Sequence, residues 1–219
     1  MTLSPTDTSR ERALCRIAVL ILLLALLAPM ALAEGLAPDA LIKSVTAEVT
    51  SAIREDPAIR AGDARRLSEL IEAKIVPHFD FNRAVRIAMG RNWRSATPEQ
   101  QEELTREFKT LVLRTYSGVL AAYRDQAIAF KPVRGRPGDS DVTVRSEVDQ
   151  PGAEPLAIEY DLGKAGAEWK VYDIRVSGIS LVATYRSTFS EEVRNYGVDG
   201  LIQHLAAKNR QAAGARARS

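Results

Sequence analysis

The hydrophobic period of this chain changes twice, and those changes restrict the fold more than any other feature. Up to about residue 125 apolar residues recur every three or four positions. From Ala127 they alternate, and after Gly178 they return to helical spacing. A chain patterned as helix, then strand, then helix buries its apolar faces most simply by laying helices on a sheet, which is an α+β arrangement.

In the first segment Leu41, Ile42, Val45, Val49, Ala52 and Ile53 form one helical stripe, interrupted by Asp56-Pro57 and Gly62. Asp63 is placed to cap a second helix bearing Leu67, Leu70, Ile71 and Ile75. Val76-Pro77 should end it, because the residue before a proline is pushed out of the helical region. Asp80 suits the start of a short helix through Met89, with Gly90 as its left-handed stop. Thr97-Pro98-Glu99-Gln100 joins an N-cap hydroxyl, a proline at the first helical position and the reciprocal glutamine of a capping box. Behind it Leu104, Phe108, Leu111, Val112, Thr115, Val119 and Tyr123 predict an amphipathic helix of several turns, ending near Asp125.

Four strands are predicted, over 127–133, 142–148, 156–162 and 168–176, with Gly, Pro and Asp in the short loops between them. Short successive loops imply an antiparallel meander. Val142, Val144, Ser146 and Val148 share one face, while Thr143, Arg145 and Glu147 face away. Leu156, Ile158, Tyr160 and Leu162 likewise oppose Ala157, Glu159 and Asp161. In the fourth strand Trp169 and Val171 fall on one side and Tyr172, Ile174 and Val176 on the other, which leaves its register open. Val182, Tyr185, Phe189, Val193 and Tyr196 then predict a helix closed by Gly197, followed by a shorter one over 201–208. Residues 210–219 read as a flexible tail.

Residues 1–33 have the layout of a secretory signal peptide. Arg10, Arg12 and Arg16 precede an unbroken apolar run, and Ala31-Leu32-Ala33 supplies small residues for cleavage after Ala33. The run is about 12 residues, short of the ~20 that a membrane-crossing helix needs. The expected organisation is a leader over 1–33, one domain over 34–209 and the tail. Cys15 is the only cysteine and leaves with the leader, so the exported chain has no disulfide and no thiolate metal site. Its formal net charge drops from +2 by one unit, without the basic stripe expected of a nucleic-acid partner.

Candidate chemistry is sparse. The chain has two histidines, His78 and His204, and neither an HExxH motif nor a GxSxG elbow. His78, at a helix junction, and the strand carboxylates Asp161 and Asp173 are the available bases, but such groups more often pack, face water or pair with arginine. No acid–base pair, metal set or cofactor motif emerges. What remains is apolar surface on the sheet and on the helices, placed to face itself. A filled core and a lined cavity use the same residue types, so periodicity does not separate them.

Several runs resemble one family in order along the chain. They are Pro77-His-Phe-Asp-Phe81, Ile87-Ala-Met-Gly-Arg-Asn-Trp-Arg-Ser-Ala-Thr-Pro-Glu-Gln-Gln101, Phe108-Lys-Thr-Leu-Val-Leu-Arg-Thr-Tyr116, Glu168-Trp-Lys-Val-Tyr-Asp-Ile174 and Gly178-Ile-Ser-Leu-Val-Ala-Thr-Tyr-Arg-Ser-Thr-Phe189. Together they are similar to the MlaC family, also called Ttg2D or toluene-tolerance proteins, over roughly 37–209. The resemblance implies an NTF2-like core, here a four-stranded antiparallel sheet covered by helices, with a helical elaboration. It also implies a non-enzymatic periplasmic carrier that holds phospholipid acyl chains in an apolar cavity and maintains outer-membrane lipid asymmetry. The implied partners are an outer-membrane lipoprotein–porin complex (MlaA-like) and an inner-membrane ABC transporter with an MCE-domain subunit (MlaD-like). The carrier itself would be a monomer with bound phospholipid as its only ligand. Hopanoid-associated relatives share the fold, and an NTF2-like enzyme using Asp173 or His78 on a small apolar substrate is the alternative class; a ligand-free adaptor is a third.

Exposing one methylene costs ~0.8 kcal/mol, so about 30 methylenes crossing water bare would cost on the order of 20 kcal/mol. A carrier must therefore enclose both chains. The expected cavity wall comprises Val144, Ile158, Tyr160, Val171 and Ile174 from the sheet with Phe108, Leu111, Val112, Thr115, Val182 and Tyr185 from the helices. Trp93 and Tyr116 join them from the resembling motifs.

Overall fold

Local capping decides where the helices begin. The computed structural model describes residues 35–122, 126–133, 136 and 138–216; the expected leader over 1–33 and the last residues of the tail lie outside them. Helix α1 (Pro38–Glu55) starts on a proline, and Asp56 then accepts from the Ala58 and Ile59 amides to open the single turn α2 (Pro57–Arg60). Asp63 caps α3 (Ala64–Lys74) through the Arg65 and Arg66 amides at 2.9 and 3.0 Å. After a 3-10 turn at Val76–His78, Asp80 caps α4 (Phe81–Met89), and Gly90 ends it at φ 56°. The capping box of α5 (Pro98–Ala122) is complete: Gln100 Oε1 accepts from the Thr97 amide at 2.9 Å, and Thr97 Oγ1 from the Gln100 amide at 3.3 Å.

Among the described residues five strands follow, one more than expected: β1 (Ile128–Phe130), β2 (Asp141–Val148), β3 (Leu156–Ala165), β4 (Glu168–Val176) and β5 (Ile179–Ser180). They form an antiparallel sheet in the order β1-β2-β3-β4-β5. The extra strand arises because Ser177 and Gly178 both take positive φ, 49° and 80°. That two-residue reversal matches the strand twist and folds the chain back, pairing Val176 with Ile179 before any helix can start. β1 is shorter than the alternating pattern over 127–133 suggested, whereas β3 runs on to Ala165.

The uncertain register of β4 resolves into a bulge. Asp161 pairs with Asp173, but Leu162 pairs with Val171, so Tyr172 is an extra residue. Val171 and Ile174 therefore share the apolar face although they stand three residues apart. The opposite face carries a ladder of charges. Arg145 and Arg175 both reach Glu159, at 2.7 and 2.8 Å, and Arg175 also meets Asp161 at 2.8 Å. Asp161 is thus an arginine partner, as strand carboxylates usually are.

Helix α6 (Arg186–Arg216) is broken at Gly197, whose φ is 71°, so its halves at 186–196 and 198–216 point differently. The second half extends past residue 208, where the expected short helix ended. Among the described residues no helix is long and apolar enough to cross a membrane.

Among the described residues, buried apolar side chains fall into three clusters. The first joins α4, α5 and α6 through Val85, Met89, Leu104, Phe108, Phe189, Leu201 and Leu205. The second sets Leu41 and Ile42 of α1 against Val144, Leu162 and Val171 of the sheet. The third packs Val49 and Ile53 on Ile59, Leu67 and Ile71. A domain of this size usually has one contiguous core. Val45 of α1 packs against both the second and the third cluster, so protein bridges those two.

Candidate functional site

Between the clusters lies an apolar cavity of about 490 Å³, within the ~300–1,000 Å³ range of small-molecule sites. All three clusters supply its wall. The sheet contributes Ile128, Val148, Leu156, Ile158, Tyr160, Ile174 and Val176, and α1 contributes Ile42, Val45, Val49 and Ile53. Ile71, Ile75, Phe79, Phe81, Ala84 and Phe108, with Val112, Leu113, Tyr116, Leu181 and Val182, contribute the rest of the apolar wall, and Thr46, Thr50, His78, Ser117, Tyr172 and Asp173 also line it.

Several of the polar wall groups are engaged by protein partners. Thr50 returns its hydroxyl to the Thr46 carbonyl at 2.7 Å. Asp173 accepts from the Ser180 hydroxyl at 2.5 Å and from the Val182 amide at 3.2 Å, so it ties β5 to the start of the following helical turn. The hydroxyl of Tyr116 meets Tyr185, whose own pKa is pushed up to about 12, chiefly by burial and then by Tyr116. Burial likewise raises Tyr160, against a smaller opposing effect of the Ser146 hydroxyl. A chamber with this lining can shelter hydrocarbon and offers little to stabilise a charge inside it.

Seven of the thirteen residues expected on the wall are there: Phe108, Val112, Tyr116, Ile158, Tyr160, Ile174 and Val182. Six stand elsewhere. Val144 and Val171 are filled in by Leu41 and Ile42, because the first turns of α1 press directly on that end of the sheet. Leu111, Trp93 and Tyr185 pack against the helical cluster instead. There Phe108, Tyr185 and Phe189 form a ring triad with centroids 5.2, 5.6 and 5.7 Å apart. Thr115 is exposed and donates to the Leu111 carbonyl at 2.8 Å. The long helix thus divides its apolar surface between α6 and the cavity, a division its sequence does not mark.

The wall residues that the sequence pattern left out come mainly from α1, α3 and the strand ends. The α1 stripe was legible as a stripe, but its destination was not. A second, open depression beside the Gly197 break is polar, lined by Glu192, Tyr196, Asp199, Gln203 and His204. His204 Nδ1 lies 3.5 Å from Glu192 there.

The profile of the family described as MlaC protein matches residues 43–207, from α1 into the second half of α6. The chain belongs to the MlaC family. Nearly every wall residue of the cavity lies inside the matched region. The toluene tolerance protein ttg2D of Pseudomonas putida is 29% identical over 106 residues, 48% of this chain and 49% of that relative. The chain therefore spans about half the length of that relative. The intermembrane phospholipid transport system binding protein MlaC of Haemophilus influenzae is 23% identical over 171 residues, covering 77% of this chain and 80% of that one. Among solved structures, the phospholipid-binding protein of Ralstonia solanacearum, in complex with a phospholipid, is 44% identical with a TM-score of 0.74. That similarity covers 80% of this chain and 98% of the other.

Proposed function

We propose that this MlaC-family chain is an exported, non-enzymatic phospholipid carrier. It encloses acyl chains between the apolar sheet face and helices α1, α3, α4 and α5. The observation that carries this reading is the cavity itself, lined mainly by hydrocarbon from all three clusters, in a chain 44% identical to a protein solved with a phospholipid. In this reading residues 1–33 direct export to the periplasm, the sheet and its helical cover are an NTF2-like core, and the carrier works as a monomer. It takes lipid from or delivers it to an outer-membrane lipoprotein–porin complex and an inner-membrane ABC transporter with an MCE-domain subunit, and so supports outer-membrane lipid asymmetry. Aqueous transit is then bearable because chains that would cost on the order of 20 kcal/mol in water stay covered.

Native purification followed by organic extraction and mass spectrometry tests the binding step. Roughly stoichiometric phospholipid is expected, and a lipid-free protein that also fails to take up added phospholipid would refute it. Transfer of labelled phospholipid between donor and acceptor vesicles, accelerated by the purified chain, tests the carrier step.

A further inference from the structure

Ser146 interrupts a row that is otherwise hydrocarbon: the inner face of β2 reads Val142, Val144, Ser146, Val148. It is 2% exposed, and its hydroxyl makes no well-formed hydrogen bond. Leaving a buried hydroxyl unpaired costs about 1–3 kcal/mol, a penalty that alanine would avoid. The strand register sets Tyr160 opposite Val144 and Ile158 opposite Ser146, so Tyr160 is the diagonal neighbour of Ser146 on the cavity side. Its phenol lies beside the Ser146 hydroxyl and lines the cavity.

These two hydroxyls carry two O–H donors, and contact between them uses at most one. Tyr160 is on the cavity wall and Ser146 is not, so a hydrogen bond from Ser146 to the phenol leaves the phenolic O–H as the donor that a purely hydrocarbon guest would not satisfy. An oxygen acceptor on the guest would satisfy it. In a phospholipid the uncharged acceptors attached to the chains are the ester carbonyls. Ser146 is two residues from the end of β2, while Tyr160 is the fifth of the ten residues of β3, the central strand of the sheet.

We propose that the Tyr160 hydroxyl, positioned by Ser146, donates a hydrogen bond to an ester carbonyl oxygen of the bound lipid, so that the cavity favours ester-linked over ether-linked chains. This rests on the carrier reading above. The test compares a dioleoyl diester phosphatidylethanolamine with the diether analogue of the same head group and chain length, each titrated onto delipidated protein. Wild type should bind the diester about threefold to tenfold more tightly. That ratio should fall to near one in Tyr160→Phe and shrink in Ser146→Ala, with circular dichroism confirming that both variants are folded. A wild-type ratio of one, or a ratio that survives Tyr160→Phe, overturns the proposal while leaving the carrier reading intact. Failure of wild type to bind either lipid overturns both.

Discussion

Replacing Ile158 with glutamate separates a lined cavity from a filled core. Ile158 is half-buried on the wall, opposite Ser146 on β2 and Val176 on β4. In the empty cavity a carboxylate there can keep water, so the fold should survive. An acyl chain lying against it removes that water, and the group must take up a proton first. For a carboxyl with an ordinary pKa of about 4.3, protonation at pH 7 requires about 3.7 kcal/mol, close to a 500-fold loss of lipid affinity. The sign fixes the pH dependence: affinity should recover about tenfold for each pH unit lowered from 7 toward 5, because protonation precedes binding. Titration of delipidated Ile158→Glu with a fluorescent phospholipid at several pH values, with circular dichroism as the folding control, measures both quantities. A folded variant that binds lipid as wild type does at pH 7 would refute the placement of Ile158 on a chain-binding wall. So would a loss of affinity with no pH dependence.

Two further outcomes follow from the packing and the charge ladder. Val144→Ala, at a position with no exposed surface in the solid cluster under α1, should lower unfolding free energy by about 2 kcal/mol and leave lipid content unchanged, as measured by denaturant titration and lipid extraction. The Glu159 carboxyl is held below its ordinary value, first by its hydrogen bond from Arg145 and then by the charge of Arg175. Its contribution to stability is therefore present above the unfolded carboxyl pKa of 4.5 and lost as pH falls through the lower folded value, so Glu159→Gln should flatten the acid limb of the thermal-stability profile in that range.

Helix starts were legible because capping is local. Asp63, Asp80 and the Thr97/Gln100 pair act on amides two or three residues away, so their chemistry is written where it operates. Strand faces were legible for the same reason, as alternation is a property of one segment. The fifth strand was missed because the Ser177-Gly178 turn was read as the end of the sheet, although its hairpin geometry sends the chain back along β4. The β4 bulge was unreadable because it is a relation between Asp161, Leu162 and their partners across the ladder, and not a pattern within either strand.

The candidate wall shows the same limit. Val144 and Tyr160 are direct cross-strand partners, alike in alternation, yet one is sealed under Leu41 and Ile42 and the other lines the chamber. By itself the sequence determined that apolar faces on helices and sheet must be covered, and its motifs pointed to the family. Whether those faces meet each other or stand apart was decided only in three dimensions, by where α1 packs on the sheet and where the cavity lies between them. Burial against protein and burial against a guest remove the same hydrocarbon from water, so the residue types that satisfy one satisfy the other.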